Sequence, residues 1–232
     1  MNILMVTNNY TPYSGGVVSS ICATTQALQE QGHTVHIATL DFGTQENDAY
    51  FVHRLYCPLK FWYYKNPVAV PWRAQAQLEV LVRTLKPALI HSHHPFLLGI
   101  AAVHVAKKYA IPIIFTHHTL YDEYSHYLPL PTFLLKPFIN YVVTKYCQNV
   151  DGIIAPSSFV KNRLVHHQIQ KSIAVIPSGI LPLFYPGIFA PKNSIKNRKI
   201  TLLTISRFMP AKNITFLLDM FAYLDHSRFQ LI

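Results

Sequence analysis

The chain has 232 residues, half of them hydrophobic and 13% charged, which supplies a sizeable core and excludes intrinsic disorder. At roughly 100–200 residues per domain, it allows one complete domain with a remainder, or two small ones. The net charge of +10 is lopsided, with Glu30, Asp41, Glu46 and Asp48 but no Lys or Arg before residue 51, leaving +14 on the rest; such a basic body calls for an anionic partner.

In chain order, Ile3–Thr7 reads as a buried strand. Val17, Val18, Ile21, Cys22, Thr25 and Leu28 recur at helical spacing until Gly32 stops them. Thr34–Leu40 and Phe51–Leu55 are strands, and Trp72–Leu85 is a helix ended by Pro87. Ala88–His91 is a strand, Phe96–Tyr109 a helix and Pro112–Thr116 a strand. A long, interrupted helical region covers Pro131–Asn149. Gly152–Ala155, the helix Ser157–His166 and the strand Ile173–Ile176 follow. This alternation predicts an α/β fold, a Rossmann-like doubly wound parallel sheet covered on both faces.

The pattern breaks near Ile180. Residues 181–198, with Pro182, Pro186, Gly187, Pro191, Lys192 and Lys196, read as a linker. Lys199–Ile205, Asn213–Leu224 and Phe229–Ile232 then form the first βαβ of an incomplete second domain, 199–232. Its apolar residues, among them Leu202, Phe216 and Met220, call for a partner surface, which predicts docking, self-association or fraying.

Cys22, Cys57 and Cys147 are far apart and show neither metal-ligand spacing nor a disulfide framework, as in a reducing compartment. The opening MNILMVTNNY lacks the basic region of a signal peptide. The apolar stretch Pro87–Ala106 contains four histidines and Pro95, unlike a membrane span.

Four motifs carry candidate chemistry. Asn8–Gly16, NNYTPYSGG, lies between the first strand and first helix, where parallel sheets bind ligands. Gly15 and Gly16 permit close backbone approach, and the helix start aims N–H groups outward. The spacing is not that of a dinucleotide fingerprint. His91, His93 and His94 follow one strand and His117 and His118 the next, so one sheet edge gathers five imidazoles. They suit a hydroxyl-rich ligand, proton transfer or, with Asp122 and Glu123 nearby, a metal. The segment Tyr56–Arg73 mixes aromatics, prolines and cations. It suits a membrane interface, a greasy acceptor, stacked bases or a loop folded onto its own domain. Tyr127–Tyr146 raises the same question, with a core helix as its simpler reading. Arg207 and Lys212, in SRFMPAKN, flank a strand-to-helix loop suited to a diphosphate.

Together these pieces resemble the GT-B glycosyltransferases of family 4. The resemblance rests on NILMVTNNYTPYSGGV, HSHHPFLLG, FTHHTLYDEY, IIAPSSFVKNRL, AVIPSGI and TISRFMPAKN, in that order along essentially the whole chain. THHTLYDEY is similar to enzymes that glucosylate diacylglycerol. The resemblance implies that residues 1–180 are the acceptor-side, N-terminal GT-B domain of a retaining enzyme. Such an enzyme moves a hexose from a nucleotide-diphosphate sugar to a lipid or other hydroxyl acceptor. It implies His118 at the reacting centre, Gly15 and Gly16 against donor phosphates and sugar, and Arg207 and Lys212 on the leaving diphosphate. Tyr13, His93 and Asp122 would lie on the acceptor side. No metal or other cofactor is implied beyond the sugar nucleotide as donor substrate. The location implied is cytoplasmic, peripheral at the inner face of an anionic membrane, with no nucleic acid partner.

Ser178 and Leu181 stand where the family usually has Asn and Asp. The family's paired glutamates belong to the second domain, beyond the 34 residues counted from Lys199, so little transferase activity is expected of these 232 residues. Two other classes stay open: a non-catalytic glycan-, lipid- or protein-binding domain, and a His-dependent metal hydrolase.

Overall fold

Ile3, Leu4, Met5 and Val6 are each at most 3% exposed, an unbroken apolar run of the kind that builds a strand covered on both faces. They form β1 (Asn2–Val6). Ile3 and Met5 join one cluster with Val18, Ile21, Val35 and Ile37. Leu4 and Val6 join the other, with Ala38, Leu40, Ile90 and Leu98. In the computed structural model, residues 1–43, 49–63, 66–123, 131–181, 199–206, 208 and 212–232 are described. They divide into two compact units, Met1–Tyr185 and Pro186–Ile232. The linker expected at 181–198 lies, Leu181 apart, outside the described residues.

In the first unit α1 (Gly16–Glu30) links β1 to β2 (Thr34–Leu40), which is followed by β3 (Val52–Leu55). Gly32 stops α1 by turning into the left-handed region at φ +79°, where a Cβ is penalised. After β4 (Leu59–Tyr63) and β5 (Asn66–Val70), α2 (Ala74–Leu85) returns the chain to β6 (Leu89–Ser92) beside β1. Then come α3 (Leu98–Lys108), β7 (Ile113–Thr116), α4 (Thr132–Gln148), β8 (Gly152–Ala155), α5 (Ser158–His166) and β9 (Ile173–Val175). The sheet order is β3-β2-β1-β6-β7-β8-β9, and every pairing in it is parallel. The expected doubly wound sheet is present. Its winding reverses between β1 and β6, and a ligand crevice opens outside the carboxyl ends of strands at such a reversal.

Two segments differ from the sequence expectation. Within Tyr56–Arg73, β4 and β5 pair as an antiparallel hairpin. Aromatic and proline content obscured its alternation, and Pro67 is tolerated because a two-stranded ribbon has free edges. The region expected to be interrupted is the continuous helix α4, with Pro137 inside it. Pro137 deprives the Phe133 carbonyl of a partner. Phe133 stands one turn before it and is 72% exposed.

The second unit has β10 (Ile200–Leu202), α6 (Ile214–Ala222) and β11 (Phe229–Leu231), with the strands parallel. β10 is shorter than the expected 199–205. No side chain of α6 is buried.

Candidate functional site

The carboxyl ends of β1, β6 and β7 lie side by side because the strands are parallel neighbours. The His93 N–H donates to the Val6 carbonyl at 2.9 Å, and the His117 N–H to the Ile154 carbonyl at 2.9 Å. The turns after β6 and β7 are thus tied to the neighbouring strands.

Asn8, the second residue past β1, joins two turns. Its Nδ2 donates to the Phe96 carbonyl and its Oδ1 accepts from the Leu98 N–H, both at 3.2 Å. Its own N–H donates to His94 Nδ1 at 3.2 Å, so His94 Nδ1 is an acceptor there. The turn is fixed from behind by Tyr146, whose hydroxyl donates to Ser92 Oγ at 2.6 Å. Ser92 Oγ in turn donates to the His94 carbonyl at 3.1 Å. A Cβ added at Gly99 would stand 1.8 Å from that carbonyl oxygen, so only glycine admits this approach of α3.

The five histidines do gather at this edge. His91 Nε2 pairs with Thr116 Oγ1 at 2.7 Å, and His93 Nδ1 pairs with His118 Nε2 at 2.9 Å. The His91 and His93 ring centroids are 4.2 Å apart. Burial holds His91 down to about 3 and His94, His117 and His118 to about 4, and keeps His93 well below its ordinary value. All five are therefore neutral at pH 7. A cluster of neutral imidazoles offers directional hydrogen bonds and no net charge.

Asp122 and Glu123 turn to a different partner. Arg163 on α5 bonds the Asp122 carboxylate and reaches Glu123 Oε1 at 3.2 Å. Lys136 Nζ stands 3.6 Å from Glu123. Asp122 thus anchors the turn after β7 to α5. Beside it is a cavity of about 20 Å³ lined by His117, Tyr121, Asp122, Asn140 and Arg163. The buried His117 Nδ1 and Tyr121 hydroxyl have no hydrogen-bond partner among the described residues, and the space admits one water. Among the described residues, no group of three His, Cys, Asp or Glu is arranged to hold a metal.

Gly15 is extended at φ 174° and precedes α1 without a side-chain cap. A Cβ at Gly15 or Gly16 would meet nothing within 4 Å, so open space fronts the uncapped helix start. Tyr13, half-buried, lies in the same loop and donates its N–H to the Tyr10 carbonyl at 3.0 Å. Arg54 on β3 holds the loop by donating Nη2 to the Thr11 carbonyl at 2.6 Å. Arg207 lies outside the described residues, and Lys212 is exposed between β10 and α6 in the second unit. Asn8, Gly99 and Arg163 lie in the motif runs and Tyr146 in the stretch Tyr127–Tyr146, yet the sequence assigns none of the four a role of its own. Only the adjacency of Asn8 to a strand end marked it.

One further surface stands out. α4 buries Leu135, Ile139 and Val143 but exposes Phe133, Leu134, Phe138 and Tyr141 by 59–72%. Between α3 and α4 runs a groove of about 340 Å³ lined by Ile100, Val103, Tyr141 and Val142, with Lys107 and Lys145 at its rim. Neither helix contains an acidic residue. No helix among the described residues is long and apolar enough to cross a membrane.

Among curated proteins, the alpha-monoglucosyldiacylglycerol synthase of Streptococcus pneumoniae is 29% identical over 232 residues, covering 96% of this chain and 52% of that protein. Its namesake from Acholeplasma laidlawii is 26% identical, over 95% of this chain and 59% of its own length. A phosphatidylinositol N-acetylglucosaminyltransferase component from Homo sapiens is 27% identical, over 93% and 43% respectively. The chain spans about half the length of these curated relatives. In fold it matches sucrose-phosphate synthase from Thermosynechococcus elongatus, with a TM-score of 0.71 at 17% identity over 99% of this chain and 61% of that one. It also matches the lipopolysaccharide outer core galactosyltransferase WaaB, at 0.65 and 14% identity over 100% and 60%. The sequence model of Glycosyltransferase Family 4 matches residues 14–182, most of the doubly wound unit and the whole histidine-lined edge, and the chain belongs to that family.

Proposed function

We propose that residues 1–180 are the acceptor-side part of a retaining glycosyltransferase that moves a hexose from a nucleotide-diphosphate sugar to a lipid-borne hydroxyl. The observation that carries this reading is the pair of neutral imidazoles, His93 and His118, on the edge shared with the open start of α1. Neutral donors suit sugar hydroxyls. An uncapped helix start suits phosphate oxygens. Arg207 and Lys212 supply the cations that a departing diphosphate needs. Tyr13 lies on the acceptor side, His93, buried at 2% exposure, serves it through His118, and Asp122 shapes it through Arg163.

The lipid acceptor is supported by the names of the curated relatives and by the apolar outer face of α4, ringed by lysines. That face suits an anionic bilayer surface at the cytoplasmic side of a membrane. The 232 residues alone transfer little, since donor binding calls on a second domain of which they hold a small part. The exposed faces of β10, α6 and β11 then serve self-association or docking.

The test pairs sugar transfer with vesicle flotation. The chain extended by a family donor domain, given a panel of sugar nucleotides and diacylglycerol in phosphatidylglycerol vesicles, is expected to form glycolipid. His118→Ala is expected to cut that by about 100-fold, on the order of 2.7 kcal/mol at the transition state. The unextended chain is expected to float with the vesicles and form little or no product. Absence of any glycolipid from the extended chain across the panel refutes the transferase reading.

A further inference from the structure

We propose that His93 is a positioning residue that fixes His118 as its Nδ1–H tautomer, so that His118 meets a ligand as a neutral hydrogen-bond donor. The place of His118 near a sugar rests on the proposed function. The tautomer does not.

Two imidazole nitrogens 2.9 Å apart share one hydrogen: His93 Nδ1 faces His118 Nε2. His93 is 2% exposed, and its other nitrogen, Nε2, is buried with no partner among the described residues. Two arrangements satisfy the pair. In one, His118 Nε2–H donates to His93 Nδ1. The proton of neutral His93 then sits on Nε2, where a buried N–H points at nothing. In the other, His93 Nδ1–H donates to His118 Nε2 and leaves only a bare lone pair at His93 Nε2. Orphaned buried N–H groups are rarer in folded proteins than under-satisfied acceptors. The second arrangement is the one that avoids the orphan.

The consequence passes to His118. Its Nε2 lone pair is occupied by His93, so its proton sits on Nδ1. The bond on one ring nitrogen selects what the other presents. His118 is more exposed than His93, and Nδ1 is not among the buried atoms lacking a partner. His118 therefore offers one N–H to the ligand and no free base. It orients an oxygen and does not deprotonate a hydroxyl. The fixed turn behind His93, held by Tyr146, Ser92 and Gly99, keeps the donor aimed.

Long-range ¹H–¹⁵N spectra of the 232-residue chain labelled with ¹⁵N-histidine read the tautomer directly. At pH 7 the expected spectrum has His118 protonated at Nδ1 and bare at Nε2, unchanged to pH 5.5. His93→Phe, which removes the donor, is expected to shift His118 to the Nε2–H form favoured by free imidazole. His93→Asn, whose amide can donate from the Nδ1 position, is expected to restore the Nδ1–H form. Wild-type His118 protonated at Nε2, or a His93→Phe spectrum unchanged at His118, overturns the proposal. Should His93→Phe fail to fold, the wild-type spectrum alone decides. The expected tautomer together with transfer by the extended enzyme that is indifferent to His118→Ala would sink the sugar-site assignment and leave the role of His93 standing.

Discussion

Leu98 on α3 is fully buried, whereas Leu218 on α6 is 56% exposed, although both lie in apolar helices that follow a parallel strand. The difference is one of layers. α3 lies against a seven-stranded sheet and packs beside α2 and α4. Within its own unit, α6 has two three-residue strands for company. Apolar sequence becomes core only where a second layer closes over it. The histidine edge stands on that closure, and among the described residues of its unit α6 has no such layer.

Acid strikes the contrast hardest. The five edge histidines titrate well below an unfolded histidine, whose pKa is about 6.5. Between pH 6.5 and about 4, the unfolded chain binds protons that the folded one refuses. Stability is therefore level above about pH 6.5 and falls as pH drops, by up to about 1.4 kcal/mol per pH unit for each such histidine. Urea midpoints from pH 7.5 to 4.5 check this, and a flat profile would mean that the histidines are accessible in the folded state.

Next in size come two core substitutions. Phe115→Ala empties a fully buried site and is expected to cost about 3–5 kcal/mol. The matching Phe216→Ala, at a side chain 59% exposed, should stay within about 0.5 kcal/mol. Equal costs in urea unfolding would dissolve the distinction between the units. Gly99→Ala pushes a methyl into the His94 carbonyl and is expected to cost about 3 kcal/mol. It should also move the histidine resonances of the turn, because the carbonyl has to shift.

The smallest effect on the histidine edge is expected at Arg163→Gln, which leaves Asp122 without its cation. A loss of about 2 kcal/mol is expected, with the resonances of His117 displaced more than those of His91. No displacement at His117 would show that the turn after β7 holds itself.

Much of this is legible in the sequence. Apolar runs of four to seven residues alternating with segments of helical period place β1, β2, β6, β7 and β8 and the helices among them. The histidines could be assigned to one edge because parallel strands all end there. What escaped was long-range. Asn8 bonding to Phe96 and Leu98, Tyr146 bonding to Ser92 and Arg163 bonding to Asp122 span 41 to 90 residues, and no local pattern encodes such partners. Asp122 illustrates the limit. Its neighbourhood in THHTLYDEY suggested an acceptor contact, whereas its carboxylate bonds Arg163. The hairpin escaped for a local reason, since aromatic side chains on both faces of Leu59–Tyr63 hide the period of two.

All strands of the large sheet point the same way, so the molecule has a working rim and an idle one. The turns at Gly32 and Ala110 fall on the idle rim, at the amino ends of β2 and β7. A fluorophore or surface tether attached there leaves the imidazoles unencumbered, and it gives a handle by which the chain can be fixed to a support with its histidine-lined side outward.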